Sequence, residues 1–524
     1  MSLGSQSSII RVAVCAALWF ALPLFGWQEK QESSSTVQRA FERSRDNPLE
    51  LRAFLERMPK GADLHLHISG AVYAESYIAQ AVEDNLCVEL ASLTVIRNTG
   101  TTRSIPPKPV CPVASVSAVS ALGDQKLYDR LVNAFSMRNF VPFAGTSAHD
   151  QFFATFDRFV KIDPRKHLGQ WLDEVSRRAA GQNEQYLEVM HTPDFATAAK
   201  LGYEIGWSGD FAQTRTALLS KGLAENVIKD REELDGAEGE RRRLQGCSDD
   251  SKEGPCRVKI RYLFQVLRGF PPEQVFAQTL LGFELASVDP RVVGINFVMA
   301  EDWYMPMHEY HRQMEMLNYL HSVYPNVHLS LHAGELAPGL VPPDALKFHI
   351  REAVELGHAE RIGHGVDVMY EQNPHQLLAE MASRRIAVEI SLTSNELIVG
   401  VKGREHPLPL YRAAGVPIAL CTDDEGVSRI DLTHEYARAV SEFGLTYLDL
   451  KNIARTSLEH TFLQGSSLWD DPRQYSHQKS ACANPETGNA RPSKGCALFL
   501  QANEKAKEQW ELERRFRVFE AQTQ

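Results

Sequence analysis

The chain has 524 residues, 43% of them hydrophobic and 23% charged, and carries a formal net charge of −11. That balance suits a soluble globular body and excludes a nucleic-acid footprint or a polybasic membrane patch. Length alone leaves room for two or three domains.

Residues 1–27 stand apart. Arg11 precedes an apolar run over 12–27 and a polar stretch follows, the layout of a secretory signal peptide. An uncleaved N-terminal anchor fits the same pattern. No comparable apolar run recurs, so the expectation is export (periplasmic or secreted) with no stable membrane insertion once the signal is removed. Residues 28–57 follow as an N-terminal helical segment, with a spaced apolar stripe predicting one helix over 36–58.

From 58 to 470 the chain alternates. Apolar or alternating runs predict eight strands, at 61–67, 185–190, 258–266, 292–300, 327–335, 360–365, 386–395 and 416–424. Helix-like stretches such as 310–324 and 373–385 separate them. Strand–helix alternation implies right-handed βαβ units and a parallel sheet. Eight such units predict an α/β fold, a (β/α)₈ TIM-type barrel with surface insertions; a doubly wound open sheet is the alternative. The Val/Ser/Pro-rich segment 87–125 and the charged segment 225–256 read as insertions, the latter with a solvated helix face. Residues 471–524 read as a loop and a terminal helix over 497–522.

Of eight cysteines, Cys15 lies in the leader and six pair by proximity in loops: Cys87 with Cys111, Cys247 with Cys256, and Cys482 with Cys496. An oxidising compartment permits such links. Six cysteines allow 15 pairings in principle. Cys421, in an apolar strand, reads as a buried packing residue.

The polar residues within the strands are informative. His65 and His67 close the first predicted strand, His332 and Glu335 the fifth, His364 the sixth, and Asp423 with Asp424 the eighth. All fall at C-terminal strand ends, the rim where a barrel builds its site. His65, His67, His332 and Asp423 offer three nitrogens and a carboxylate, a set that suits one Zn²⁺ with a position open for water. Such an ion lowers the pKa of its water towards about 7. Glu335, three residues beyond a ligand, is placed to act as a general acid if its surroundings raise its pKa. His364 can hydrogen-bond the reacting water, and Asp424 can contact substrate. Taken singly, each has a plainer reading: His364 as a core histidine, Asp423-Asp424 as a helix N-cap. Asn296, Glu301 and Asp302 either line the pocket or cap the next helix.

Together, "HLH" (65–67), "HAGE" (332–335), "RIGHG" (361–365) and "TDD" (422–424) resemble the adenosine deaminase family of metal-dependent amidohydrolase barrels. The resemblance covers roughly 58–465. It implies hydrolytic conversion of adenosine or deoxyadenosine to inosine or deoxyinosine and ammonia, with a small purine nucleoside as partner and one zinc per chain. It assigns the zinc to His65, His67, His332 and Asp423. It gives Glu335 the protonation of purine N1, His364 the orientation of the zinc water and a share in its deprotonation, and Asp424 the contact to N7. Three positions depart from the family pattern. Ser69 replaces an acidic residue that often follows H-x-H, and Met299 stands near a strand-four glycine whose N–H meets purine N3. Glu425 replaces the proline that often follows the aspartate pair.

Other readings share part of this evidence. Another 6-aminopurine (adenine, a modified nucleoside or a nucleotide) needs only a different pocket, and a nucleotide would want cations at the rim, for which Lys402, Arg404 and Arg429 are the candidates. A two-metal amidohydrolase often bridges its ions with a strand-four lysine, and 292–300 contains none. A non-catalytic secreted nucleoside-binding or signalling protein has no chemical need for all seven site residues. Oligomeric state is left open.

Overall fold

The computed structural model describes residues 36–102, 108–248, 251, 254–483, 488–489 and 491–523. The leader expected at 1–27 lies outside the described residues. Among the described residues, no helix is long and apolar enough to cross a membrane.

The helix expected over 36–58 is two. The first runs to residue 44, and α1 (Pro48–Arg57) starts afresh where the Asn47 side chain accepts hydrogen bonds from the Leu49 and Glu50 N–H groups. Asn-Pro forces the break: proline removes a donor and restricts the residue before it, while asparagine caps the new first turn.

A strand forms at each of the eight expected places: β1 (Gly61–His67), β2 (Glu184–His191), β3 (Lys259–Leu267), β4 (Val292–Val298), β5 (His328–Ala333), β6 (Arg361–His364), β7 (Ala387–Ile390) and β8 (Ile418–Leu420). The second half of the stretch expected as the seventh, 386–395, is instead the start of a helix (Leu392–Val399). They pair in chain order and in parallel. The ring closes just beyond β8, where His67 N–H donates to Asp423 O at 3.1 Å and Asp423 N–H donates to His65 O at 2.9 Å. Asp63 fastens the same seam, its carboxylate accepting from the Thr422 N–H and hydroxyl. Apolar side chains from strands and helices merge into one large core. This is a (β/α)₈ barrel, not an open doubly wound sheet.

The helices between strands include α2 (Ala148–Phe159), α3 (Pro164–Gly181), α4 (Leu223–Gln245) and α5 (Pro272–Val288). The segment expected as a second surface insertion mostly belongs to the barrel wall. Helix α4 runs through it, buries Val227, Leu234 and Ala237, and packs against α3 and α5. Its buried residues, Asp230 among them, recur every three or four positions, so one face is buried although charges dominate the composition. Residues 87–117 instead hold short antiparallel strands.

The three expected disulfides are present, with Cα–Cα distances of 5.7, 5.6 and 4.6 Å. Cys421 is free and buried. The terminal helix is also broken, into α6 (Lys494–Ala502) and α7 (Glu504–Gln522). At the break, the Asn503 side chain accepts from Ser466 N–H at 2.7 Å instead of continuing the helix.

Candidate active site

Four side chains expected to share an ion converge at the C-terminal mouth. His332 Nε2 lies 3.1 Å from His65 Nε2 and 3.2 Å from His67 Nε2. Asp423 Oδ1 lies 3.4 and 3.2 Å from the Nε2 atoms of His65 and His67. Adjacent ligands around a tetrahedral ion with ~2.0–2.1 Å bonds stand at such separations.

The tautomers agree. His65 Nδ1 donates to Glu389 at 2.6 Å, His67 Nδ1 to Gln265 at 2.8 Å and His332 Nδ1 to Asn296 at 2.6 Å. Each imidazole therefore spends its N–H outward and turns a bare Nε2 lone pair inward. Asp423 Oδ2 accepts from the Ser394 hydroxyl at 2.5 Å, leaving buried Oδ1 with no protein donor. Four acceptors facing one point repel one another unless a cation lies between them. The donor set fits a divalent ion.

The remaining expected residues surround this group. Glu335 and His364 are buried, with Glu335 Oε1 3.4 Å from His364 Nδ1. Burial, reinforced by the Asp423 and Glu301 charges, pushes the Glu335 carboxyl well above its ordinary range. Burial takes His364 down to about 3, so the ring is neutral. The Glu335 backbone is held from behind: Glu301 accepts from the Gly334 and Glu335 N–H groups at 3.0 and 2.8 Å. Burial opposes ionisation of Glu301, but the His349 and Arg268 charges hold it at about 2.

Asp424 packs over Gly70, where a Cβ would stand 1.5 Å from Asp424 Oδ1. Only glycine admits that approach. Burial and the neighbouring Asp423 charge raise the Asp424 carboxyl. Ser69 and Met299 both line the cavity above the site. Met299 has φ +89°, a conformation normally left to glycine, and its side chain turns onto Gly269, where a Cβ would lie 2.9 Å from Met299 Cε. The methionine thus finds its room because position 269 has no side chain. Asp423 and His364 also have positive φ, 61° and 69°, so backbone strain gathers at this rim.

The supporting shell escaped the sequence reading. Glu389, Gln265, Asn296, Ser394, Asn395 and Arg268 sit in unrelated segments and meet only in the folded barrel. The sequence leaves Asn296 between lining the pocket and capping a helix, and its hydrogen bond with His332 gives it a definite place.

A closed (β/α)₈ barrel with three histidines and an aspartate gathered at its mouth defines a barrel protein whose rim carries a group of side chains able to hold a metal ion. The sequence profile described as adenosine deaminase matches residues 117–467, and the chain belongs to the adenosine deaminase family. It is 37% identical over 139 residues to an adenosine deaminase of Shewanella loihica, which spans 26% of this chain and 39% of that protein. An adenosine deaminase of Salmonella schwarzengrund is 36% identical over 157 residues, 30% of this chain and 42% of that protein. The chain thus aligns with about two fifths of the length of these curated relatives. Among solved structures, Arabidopsis ADAL complexed with GMP aligns with a TM-score of 0.50 at 21% identity, covering 80% of this chain and 96% of that one. A cog1816 amidohydrolase from Burkholderia ambifaria with bound Zn aligns with a TM-score of 0.51 at 18% identity, covering 81% and 89%. These structural likenesses establish the fold.

Proposed function

We propose that the protein is a zinc-dependent hydrolytic deaminase that converts adenosine or deoxyadenosine to inosine or deoxyinosine and ammonia, with one ion per chain. The observation that carries this reading is the convergence of three Nε2 lone pairs and Asp423 Oδ1 beside a buried acid, Glu335. Family membership supports it, as does the Zn in the Burkholderia structure.

His65, His67, His332 and Asp423 would hold the ion, which when bound supplies Lewis-acid activation of water. Glu335, kept protonated by burial, donates its proton to purine N1 and makes C6 electrophilic. His364 orients the incoming oxygen. Asp424 meets N7, and Ser69 and Met299 lie against the bound purine. The C6–O bond forms and the C6–N bond breaks; of the two protons of water, one leaves with the amine as ammonia and the other returns to Glu335. The leader expected from the sequence at 1–27 and the three disulfides support the reading of an exported protein.

The test is metal analysis of the purified protein together with the ultraviolet change as adenosine is converted. Stoichiometric zinc and turnover are expected. Absence of zinc and of any spectral change across 6-aminopurines would overturn the reading in favour of a nucleoside-binding protein.

A further inference from the structure

The cavity above the site holds about 420 Å³ and has two unlike ends. His67, His332, Glu335, Asp423 and Asp424 form the polar end, on strand termini. The remainder is largely apolar, with Phe152, Phe153, Phe156 and Phe159 from α2 facing it and Phe270 and Trp303 beside them, and its polar side chains are few: Ser69, Asp157, His191, Thr192 and Gln265. Phe153 and Trp303 stand 5.8 Å apart, ring centre to ring centre. None of the residues lining the cavity is a lysine or arginine, and Asp157 adds a carboxylate. Two of the cations considered from the sequence are bound elsewhere, Lys402 to Glu396 at 2.7 Å and Arg429 to Glu75 at 2.9 Å.

If C6 sits at the metal end, N9 lies across the purine from it and points its substituent at the aromatic wall. A phosphate there would enter a chamber with acidic groups and no cation, which opposes binding. A sugar hydroxyl packed against the α2 phenylalanines would lose water without gaining a partner there, whereas an apolar group would not. We propose that the substrate is a 6-aminopurine nucleoside with an uncharged N9 substituent that ends in an apolar group, such as a 5′-deoxy or 5′-alkylthio sugar, and that nucleoside 5′-phosphates are rejected. This rests on the deaminase reading.

The experiment measures kcat/KM of the zinc-loaded protein for 5′-methylthioadenosine, 5′-deoxyadenosine, adenosine and AMP. Each apolar group newly buried is expected to gain about fourfold, and AMP is expected to fall at least about 10³-fold below adenosine. Replacing the exposed Asp157 by lysine should raise the AMP-to-adenosine ratio at least about tenfold. AMP within tenfold of adenosine, or adenosine preferred tenfold over both 5′-modified nucleosides, overturns the proposal. Turnover of none of the four overturns the deaminase reading instead, and equilibrium binding of the same compounds then decides the cavity's preference.

A different observation carries a second inference. Leu408 N–H donates to His406 Nδ1 at 3.1 Å, His406 Nε2 to Asn395 Oδ1 at 3.1 Å, and Asn395 Nδ2 to His364 Nδ1 at 3.0 Å. All three side chains are buried. A backbone amide cannot change from donor to acceptor, so it sets the direction of every bond in the chain. His364 must accept at Nδ1 and carry its proton on Nε2, which is buried without a protein partner. We infer that His406 and Asn395 are positioning residues that lock His364 as the Nε2–H tautomer, a donor towards the reacting oxygen and not a base.

Asn395→Asp reverses the last link, since a carboxylate can only accept from His364. The expected result is a loss of at least about 10²-fold in kcat, with KM and zinc content within about twofold. Nitrogen-15 spectra of histidine-labelled wild-type protein should report Nε2–H at His364, and Nδ1–H in the variant. His406→Gln retains a donor and should recover most activity relative to His406→Phe. A wild-type spectrum showing Nδ1–H overturns the inference whether or not any variant folds.

Discussion

The Glu389 carboxylate ties a metal-site histidine to a buried arginine, one oxygen accepting from His65 Nδ1 and the other from Arg361 Nε, each at 2.6 Å. Burial opposes its ionisation, but the Arg361 charge and the His65 bond hold it at about 2. Glu389→Gln keeps the shape and removes the charge. Zinc affinity is expected to fall 10–100-fold, as chelator competition would measure; unchanged affinity would remove Glu389 from the support of His65.

Glu335 and His65 should separate cleanly. Glu335→Gln cannot deliver a proton and is expected to lower kcat by about 10²–10⁴-fold while zinc content stays at one per chain. His65→Ala should lower zinc occupancy itself. Equal loss of metal in both variants, read by elemental analysis, would show that their roles are not divided in this way.

Metal removal should be visible in stability. The four acceptors lie within 3.1–3.4 Å of one another along the measured edges, an arrangement held at a cost when no cation joins them. Adding zinc to chelated protein is expected to raise Tm by several degrees, because only the folded chain assembles the site. A Tm insensitive to zinc would contradict the proposed site.

Asp230 on α4 should make stability depend on pH away from the site. Burial, then the Asp194 and Glu233 charges, push its carboxyl up to about 7. The unfolded chain ionises near 4, so the stability Asp230 contributes at low pH is lost as pH rises from about 4 through about 7. Asp230→Asn is expected to matter little at pH 4 and to stabilise by a few kcal/mol at pH 8. Denaturant unfolding at the two pH values measures it, and equal effects at both would exclude Asp230 as the source.

The strands and the rim were legible because alternation along short apolar runs directs His65 and His67 to one face, and because "HAGE" and "TDD" follow such runs directly. Composition misled at α4, where buried Val227, Leu234 and Ala237 are outnumbered by charges, and Asn47 and Asn503 each divide what reads as one helix. The partners of the metal-site histidines were not legible. Gln265, Asn296 and Glu389 are ordinary polar residues in their own strands, and their relation to His67, His332 and His65 exists only once the barrel has curved them together.

The hydrogen bonds that join Asp423 to His65 and His67 have a kinetic consequence. The stave that completes the cylinder also delivers the carboxylate, so a nascent chain cannot assemble the full cation cage until its two most distant staves have docked. Cation capture should therefore report the last stage of folding, and any lesion that loosens this join should leak metal before it melts the remainder.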